Sequence, residues 1–179
     1  MMAHARGLVL ERFRWIGGHA DVWQIFRDPG TLAAVVRALT GPFREDGVTA
    51  VCGIESRGFL LGAAAAVELG VGFVAVRKSE GIFPGEKVAR RSDPDYRGTR
   101  QELRLQRAVV GPGDRVLLVD DWIETGSQAS AVRSMVEECG GQWAGCSVVV
   151  DQTVPDRRAD LGVRSIITAA ELPAWDGRS

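Results

Sequence analysis

Cysteine is scarce: Cys52, Cys139 and Cys146 are the whole complement. Three is an odd number and no C-x-x-C spacing occurs, so neither a disulfide framework nor a zinc site is indicated. Their settings, a predicted strand for Cys52 and the flanks of a Gly-rich turn for the other two, fit reduced thiols in a cytoplasmic protein. Excess charge is also missing. Lys and Arg total 22 against 23 Asp and Glu, a net charge of −1, which argues against nucleic acid as the main partner because the phosphate backbone is bound largely by surplus positive charge. No basic tail or helix-turn-helix pattern is visible. Long hydrophobic runs are absent too. The first 13 residues break their apolar stretch too soon for a signal peptide, and residues 59–76 are interrupted by Glu68, Gly70 and Gly72, which gives a buried helix and a strand rather than a membrane span. With no G-x-x-x-x-G-K-[ST], a P-loop enzyme is disfavoured. The expectation is a soluble protein, with no membrane and no nucleic-acid partner.

At 179 residues the chain is about one domain long and large enough to bury a core without staples. Its centre is residues 115–131, R-V-L-L-V-D-D-W-I-E-T-G-S-Q-A-S-A. Val116 to Val119 read as one buried strand of a parallel sheet, ending in Asp120 and Asp121. Residues Glu124, Thr125, Gly126, Ser127 and Gln128 follow, and then apolar residues at helical spacing: Val132, Met135, Val136 and Cys139. Gly126 lets backbone approach a ligand, Thr125 and Ser127 offer hydroxyls, and a helix start leaves N–H groups unpaired, so the segment is suited to cradle a phosphate.

Asp28-Pro29 predicts a helix start, Asp as N-cap and Pro at the first helical position, with Leu32, Val35, Val36 and Leu39 as the buried face. Residues 8–16 read as a short strand feeding an irregular cap at Gly17-Gly18. Residues 48–54 read as a buried strand, 59–69 as an Ala-rich helix and 71–76 as the next strand, a βαβ unit with a right-handed crossover. Residues 79–100 are rich in glycine, proline and charge and lack periodicity, which predicts a lid or an unstructured surface excursion. Further strands are expected at 102–110, 143–150 and 163–168.

V-L-L-V-D-D-W-I-E-T-G-S resembles the PRPP-binding motif of type I phosphoribosyltransferases. G-I-E-S-R-G-F-L-L-G followed by V-A-V-R-K is similar to the diphosphate loop, helix and strand of the adenine phosphoribosyltransferase family. The resemblance covers residues 48–151 and implies an α/β fold with a mostly parallel, doubly wound sheet. It implies a single domain over 1–179, with a core of 30–168, a small hood from 1–29 and 169–179, and a lid over 79–100. The implied reaction transfers the 5-phosphoribosyl group of PRPP to a nitrogen of a purine-like base, releasing diphosphate. Magnesium comes with PRPP and not on direct protein ligands, and homodimers are common in the family. By position, Asp120 and Asp121 would hold the ribose hydroxyls, and Glu124, Thr125, Gly126, Ser127 and Gln128 the 5-phosphate. Ser56, Arg57, Lys78 and, from the lid, Lys87 would meet the diphosphate, with Arg90 and Arg91 as further lid cations. Trp122, Val76 and His19 would flank the base.

The sequence departs from that family where the base is chosen. The Phe-Arg-Asp clamp of adenine enzymes falls, counting back from Asp28-Pro29, on His19-Ala20-Asp21. Asp95, beside Tyr96, is a candidate for the lid acid that meets the base, or a turn cap. Glu124 stands where adenine enzymes carry a small residue and 6-oxopurine enzymes an acid; it is a candidate for proton transfer, or a solvated carboxylate. A second reading keeps the fold and loses the chemistry: a PRPP- or nucleotide-sensing binding protein.

Overall fold

The computed structural model describes residues 1–78, 82–94 and 98–175. In chain order these form α1 (Met2–Arg12), β1 (Arg14–Ile16), β2 (His19–Asp21), α2 (Trp23–Arg27), α3 (Pro29–Thr40), β3 (Ala50–Ile54), α4 (Arg57–Leu69), β4 (Gly72–Lys78), β5 (Lys87–Arg91), β6 (Glu102–Gln106), β7 (Arg115–Ile123), α5 (Ser127–Glu138), β8 (Gln142–Asp151), α6 (Pro155–Leu161) and β9 (Val163–Thr168). The main sheet runs β5-β6-β4-β3-β7-β8-β9. The strands β4, β3, β7, β8 and β9 run parallel to one another, and β6 and β5 add an antiparallel edge beside β4.

The central strands β3, β7 and β8 are mostly apolar and buried, as strands with helices on both faces require. On one face Val35, Leu39, Leu61 and Ala65 of α3 and α4 close over Val51, Leu117 and Val119. On the other Val132, Met135 and Val136 of α5 cover Cys52, Val116, Leu118 and Val148. The α3 start forms as its Asp-Pro pair predicts: Asp28 Oδ1 accepts hydrogen bonds from the Thr31 N–H at 2.8 Å and the Thr31 hydroxyl at 2.7 Å. These bonds lower the Asp28 pKa.

The order in which strands are added reverses between the parallel neighbours β3 and β7: β3 leads through α4 to β4 on one side, β7 through α5 to β8 on the other. The pairing of β3 with β7 stops at Cys52–Leu118, whereas β7 stays paired with β8 as far as Ile123–Asp151. The last residues of β7 therefore overhang a crevice, the place where open α/β sheets bind ligands. Gly53 allows α4 to start directly above it, since a Cβ there would lie 2.0 Å from the Gly58 carbonyl oxygen.

Three expectations are corrected. Residues 8–16 do not form one strand: residues up to Arg12 belong to α1, whose Ala5 and Val9, one helical turn apart, are buried, and β1 is confined to Arg14–Ile16. The span 79–100 is not structureless throughout, because β5 pairs with β6 through five residue pairs, Lys87–Gln106 to Arg91–Glu102, and Val88 is buried. The strand expected at 102–110 ends at Gln106 and gives way to a 3-10 turn over Arg107–Val109. The two chain ends are tied together: Trp15 Nε1 donates to the Pro173 carbonyl at 2.7 Å, and Arg6 pairs with Glu171 at 2.7 Å.

Candidate functional site

The crevice is a cavity of about 330 Å³. Leu118, Cys146 and Val148 make its apolar floor, and β7 carries Asp120, Asp121 and Trp122 into it. The acids lie within the strand, which continues to Ile123, so the ladder to β8 holds their backbone rigidly.

The loop after β7 makes the next wall, with Glu124, Thr125, Gly126, Ser127 and Gln128 all on the cavity. Gly126 has φ of 78°, a left-handed conformation open to glycine. A Cβ there would also sit 2.8 Å from Arg157 and Leu161 of α6, so α6 backs the loop. Thr125 Oγ1 donates to Ser127 Oγ at 3.1 Å and accepts the Ser127 N–H at 3.3 Å. The first turn of α5 leaves N–H groups without intrahelical partners, and these can meet an anion.

Opposite stands the start of α4. Glu55, Ser56, Arg57 and Lys78 line this wall, and the Glu55–Ser56 peptide is cis. Glu55 is pinned: Arg77 Nη2 donates to Oε1 at 3.2 Å, and Arg77 Nε and the Lys78 N–H donate to Oε2 at 3.3 and 3.0 Å. Its pKa is lowered, chiefly by the hydrogen bond from Arg77. In the sequence only its place before Ser56 and Arg57 marks Glu55 as part of the site.

The two sides meet at the acid pair. Asp121 is 4% exposed, and Arg57 Nε lies 3.1 Å from its Oδ2. That oxygen accepts no aligned hydrogen bond, so the contact is one of charge alone. Asp120 accepts the Asp121 N–H at 2.9 Å and packs where a Cβ on Gly58 would come within 3.0 Å of its Oδ1. Desolvation first, and then the Asp121 charge, hold the Asp120 carboxyl well above the usual carboxylate range. The nearby Lys78 charge opposes this rise without cancelling it.

Trp122 packs against the hood side, its ring 6.5 Å from that of Phe13, and its Nε1 donates to Gln152 Oε1 at 3.1 Å. Of the other expected base contacts, Val76 is fully buried. It lies two residues, about 7 Å, down the strand from Lys78, inside the core on the α5 face. His19 is exposed at the turn of the β1–β2 hairpin, paired with Ile16, and is not on the cavity. Lys87 also falls elsewhere: it lies on β5, and its Nζ donates to the Gly85 carbonyl at 3.0 Å. Arg90 pairs with Glu138 of α5. Asp95 lies outside the described residues.

A cavity at the sheet reversal, with an acid pair on one strand and a glycine-bearing loop on a helix start, defines the site of a type I phosphoribosyltransferase fold. The chain belongs to the phosphoribosyl transferase domain family, whose model matches residues 22–175. It is 40% identical over 146 residues to adenine phosphoribosyltransferase of Methylococcus capsulatus, a match covering 82% of this chain and 84% of that protein. Among solved structures it is similar to adenine phosphoribosyltransferase of Rhodothermus marinus, with a TM-score of 0.81 and 32% identity over 93% of this chain and 99% of that one. It is also similar to the enzyme of Giardia lamblia complexed with 9-deazaadenine, with a TM-score of 0.78, 31% identity and coverage of 93% and 97%. Among the described residues no helix is long and apolar enough to cross a membrane.

Proposed function

We propose that this chain transfers the 5-phosphoribosyl group of PRPP to a ring nitrogen of a purine, with adenine as the first candidate. The observation that carries the reading is the convergence on one cavity of the acid pair, the loop at residues 124–128 and the cationic wall of Arg57 and Lys78. Each suits one part of PRPP: carboxylates accept ribose hydroxyls, helix N–H groups and hydroxyls surround a phosphate, and a guanidinium with an ammonium faces diphosphate. The names of the relatives supply the purine.

In the reaction the bond from C1′ to the diphosphate oxygen breaks, its electron pair leaves with diphosphate, and the base nitrogen bonds to C1′ as it sheds a proton. The protein aligns the partners and stabilises the departing charge. Asp120 and Asp121 fix the ribose, Ser56, Arg57 and Lys78 receive the diphosphate, and Trp122 flanks the base. Glu124, on the cavity wall, is the described carboxylate proposed to take the proton.

Among the described residues no group of three or more His, Cys, Asp or Glu side chains is placed to hold a metal ion. Asp120 and Asp121, the adjacent carboxylates on the cavity, would face the water shell of an ion that keeps its waters and substrate oxygens, as Mg²⁺ does. Bound with PRPP, Mg²⁺ would neutralise diphosphate charge. The unpaired cysteines support a reducing, cytoplasmic setting. Leu60 and Val67, 38% and 82% exposed on α4, support burial of that face in a homodimer.

The test is mass spectrometry of nucleotides formed from PRPP, Mg²⁺ and a panel of bases. AMP from adenine is the expected product. A different nucleotide would reassign the base, and no product, with PRPP still protecting the protein against heat, would support the sensor reading.

A further inference from the structure

The residue that follows the acid pair on β7 is Trp122, half-buried at the cavity. An indole at a cavity edge offers a broad flat face, but on a single χ1–χ2 pair it can swing unless something fixes it. Two contacts fix this one. Phe13, 1% exposed, packs against it at a tilt of 38° and is itself braced edge-on by Trp15 at 5.1 Å. On the other side the indole N–H is directed to Gln152 Oε1. Gln152 is well placed for this: it follows β8 directly, and its own N–H donates to the Ile123 carbonyl at 2.9 Å, beside Trp122 in the chain.

We propose that Gln152 is a positioning residue for the base: by accepting the Trp122 indole N–H from a backbone locked to β7, it sets the plane of the ring against which a planar heteroaromatic base lies. The inference rests on the phosphoribosyl-transfer reading. It makes the base shelf a composite of β7, the residue after β8, and the Phe13–Trp15 pair. Its selectivity is for flat area, so a bicyclic base gains more from the shelf than a monocyclic one. The hydrogen bond reaches no substrate atom, and its loss therefore acts on base affinity alone.

The full-length protein is assayed with PRPP, Mg²⁺ and adenine as wild type, Gln152→Met, Gln152→Glu, Trp122→Phe and the Trp122→Phe/Gln152→Met pair. Met keeps the length of Gln and removes the acceptor, while Glu keeps an acceptor at the same distance. The expected result is a rise of about fivefold in the adenine KM for Gln152→Met, the worth of one hydrogen bond. The PRPP KM should stay unchanged, Gln152→Glu should resemble wild type, and adding Gln152→Met to Trp122→Phe should do nothing further. An unchanged adenine KM in Gln152→Met, or the same fivefold loss in the Trp122→Phe background, would overturn the assignment while leaving the transfer reading intact. No AMP from wild type would overturn the transfer reading and this inference with it.

Discussion

Arg57 is asked to do two things with one guanidinium. In the structure it faces Asp121 at 3.1 Å, with its side chain 35% exposed and that of Asp121 6% exposed. In the proposed complex it faces diphosphate, and Asp121 turns to a ribose hydroxyl. Inorganic diphosphate, which has no ribose, must detach Arg57 from Asp121 and gives the carboxylate nothing in return. The gross attraction at this distance is roughly 5 kcal/mol at an effective dielectric constant of about 20. Solvent around the partly exposed guanidinium screens most of it, leaving a net value of about 1 kcal/mol. Asp121→Asn removes that cost and also removes a negative charge beside an anion, so diphosphate should bind the variant about fivefold more tightly. PRPP responds with the opposite sign: it loses a charged acceptor worth roughly 2–3 kcal/mol and recovers about 1 kcal/mol from the freed Arg57, a net weakening of roughly tenfold. Isothermal titration of wild type and Asp121→Asn with each ligand in Mg²⁺ measures both constants. Equal or weaker diphosphate binding by the variant would refute the exchange of Arg57 between the two partners.

Gly53→Ala places a methyl 2.0 Å from the Gly58 carbonyl oxygen, and since both sides are backbone the start of α4 must lift. A loss of about 3 kcal/mol in urea unfolding is expected, and a loss under 0.5 kcal/mol would contradict the close approach. Asp120 has a raised pKa, so its contribution to the stability of the unliganded fold is present at low pH and is lost as pH rises through that raised value. Asp120→Asn should therefore be roughly 1–2 kcal/mol more stable than wild type at pH 8, with a flatter thermal-midpoint profile against pH and little PRPP turnover; a less stable variant would argue against a desolvated carboxyl. Glu124→Ala should lower kcat about a hundredfold while PRPP still raises the melting temperature. A rate unchanged by that substitution would remove Glu124 from proton transfer.

Much of this site is legible in the sequence because its chemistry is local. A strand, two acids, a glycine loop and a helix start occupy neighbouring residues of one chain segment, and an apolar run followed by helical spacing places Val116 to Val119 and Val132, Met135 and Val136 in the core. The cationic wall is legible for a different reason: Arg57 opens α4 and Lys78 ends β4, and each sits in a short motif of its own. What stays hidden depends on pairing across the chain. β5 is a run of cations with Val88 and Ala89 between them, and it becomes a strand only because β6 offers an edge and Glu138 takes Arg90 and Arg107. α1 is interrupted by Gly7 and shows two buried residues, a pattern too thin to separate from a strand. α6 spans seven mostly polar residues, with Pro155 at its start and Gly162 after its end as its signals.

Val76 and Trp122 show the same limit inside the site. Both stand close in sequence to ligand-facing residues, and that proximity is why both read as base contacts. A strand, however, advances about 3.3 Å per residue, so two steps below Lys78 carry Val76 from cavity to core. Trp122, one step beyond Asp121, stays at the rim, where Phe13 and Gln152 reach it from 109 and 30 residues away. The acids and the loop at residues 124–128, proposed to hold the sugar phosphate, lie in one segment, and one segment can encode them. In the proposed complex the base would be met by side chains gathered from three segments, so its choice would rest on contacts that appear only after folding, and the departure at His19-Ala20-Asp21 has to be read together with Trp122, Phe13 and Gln152.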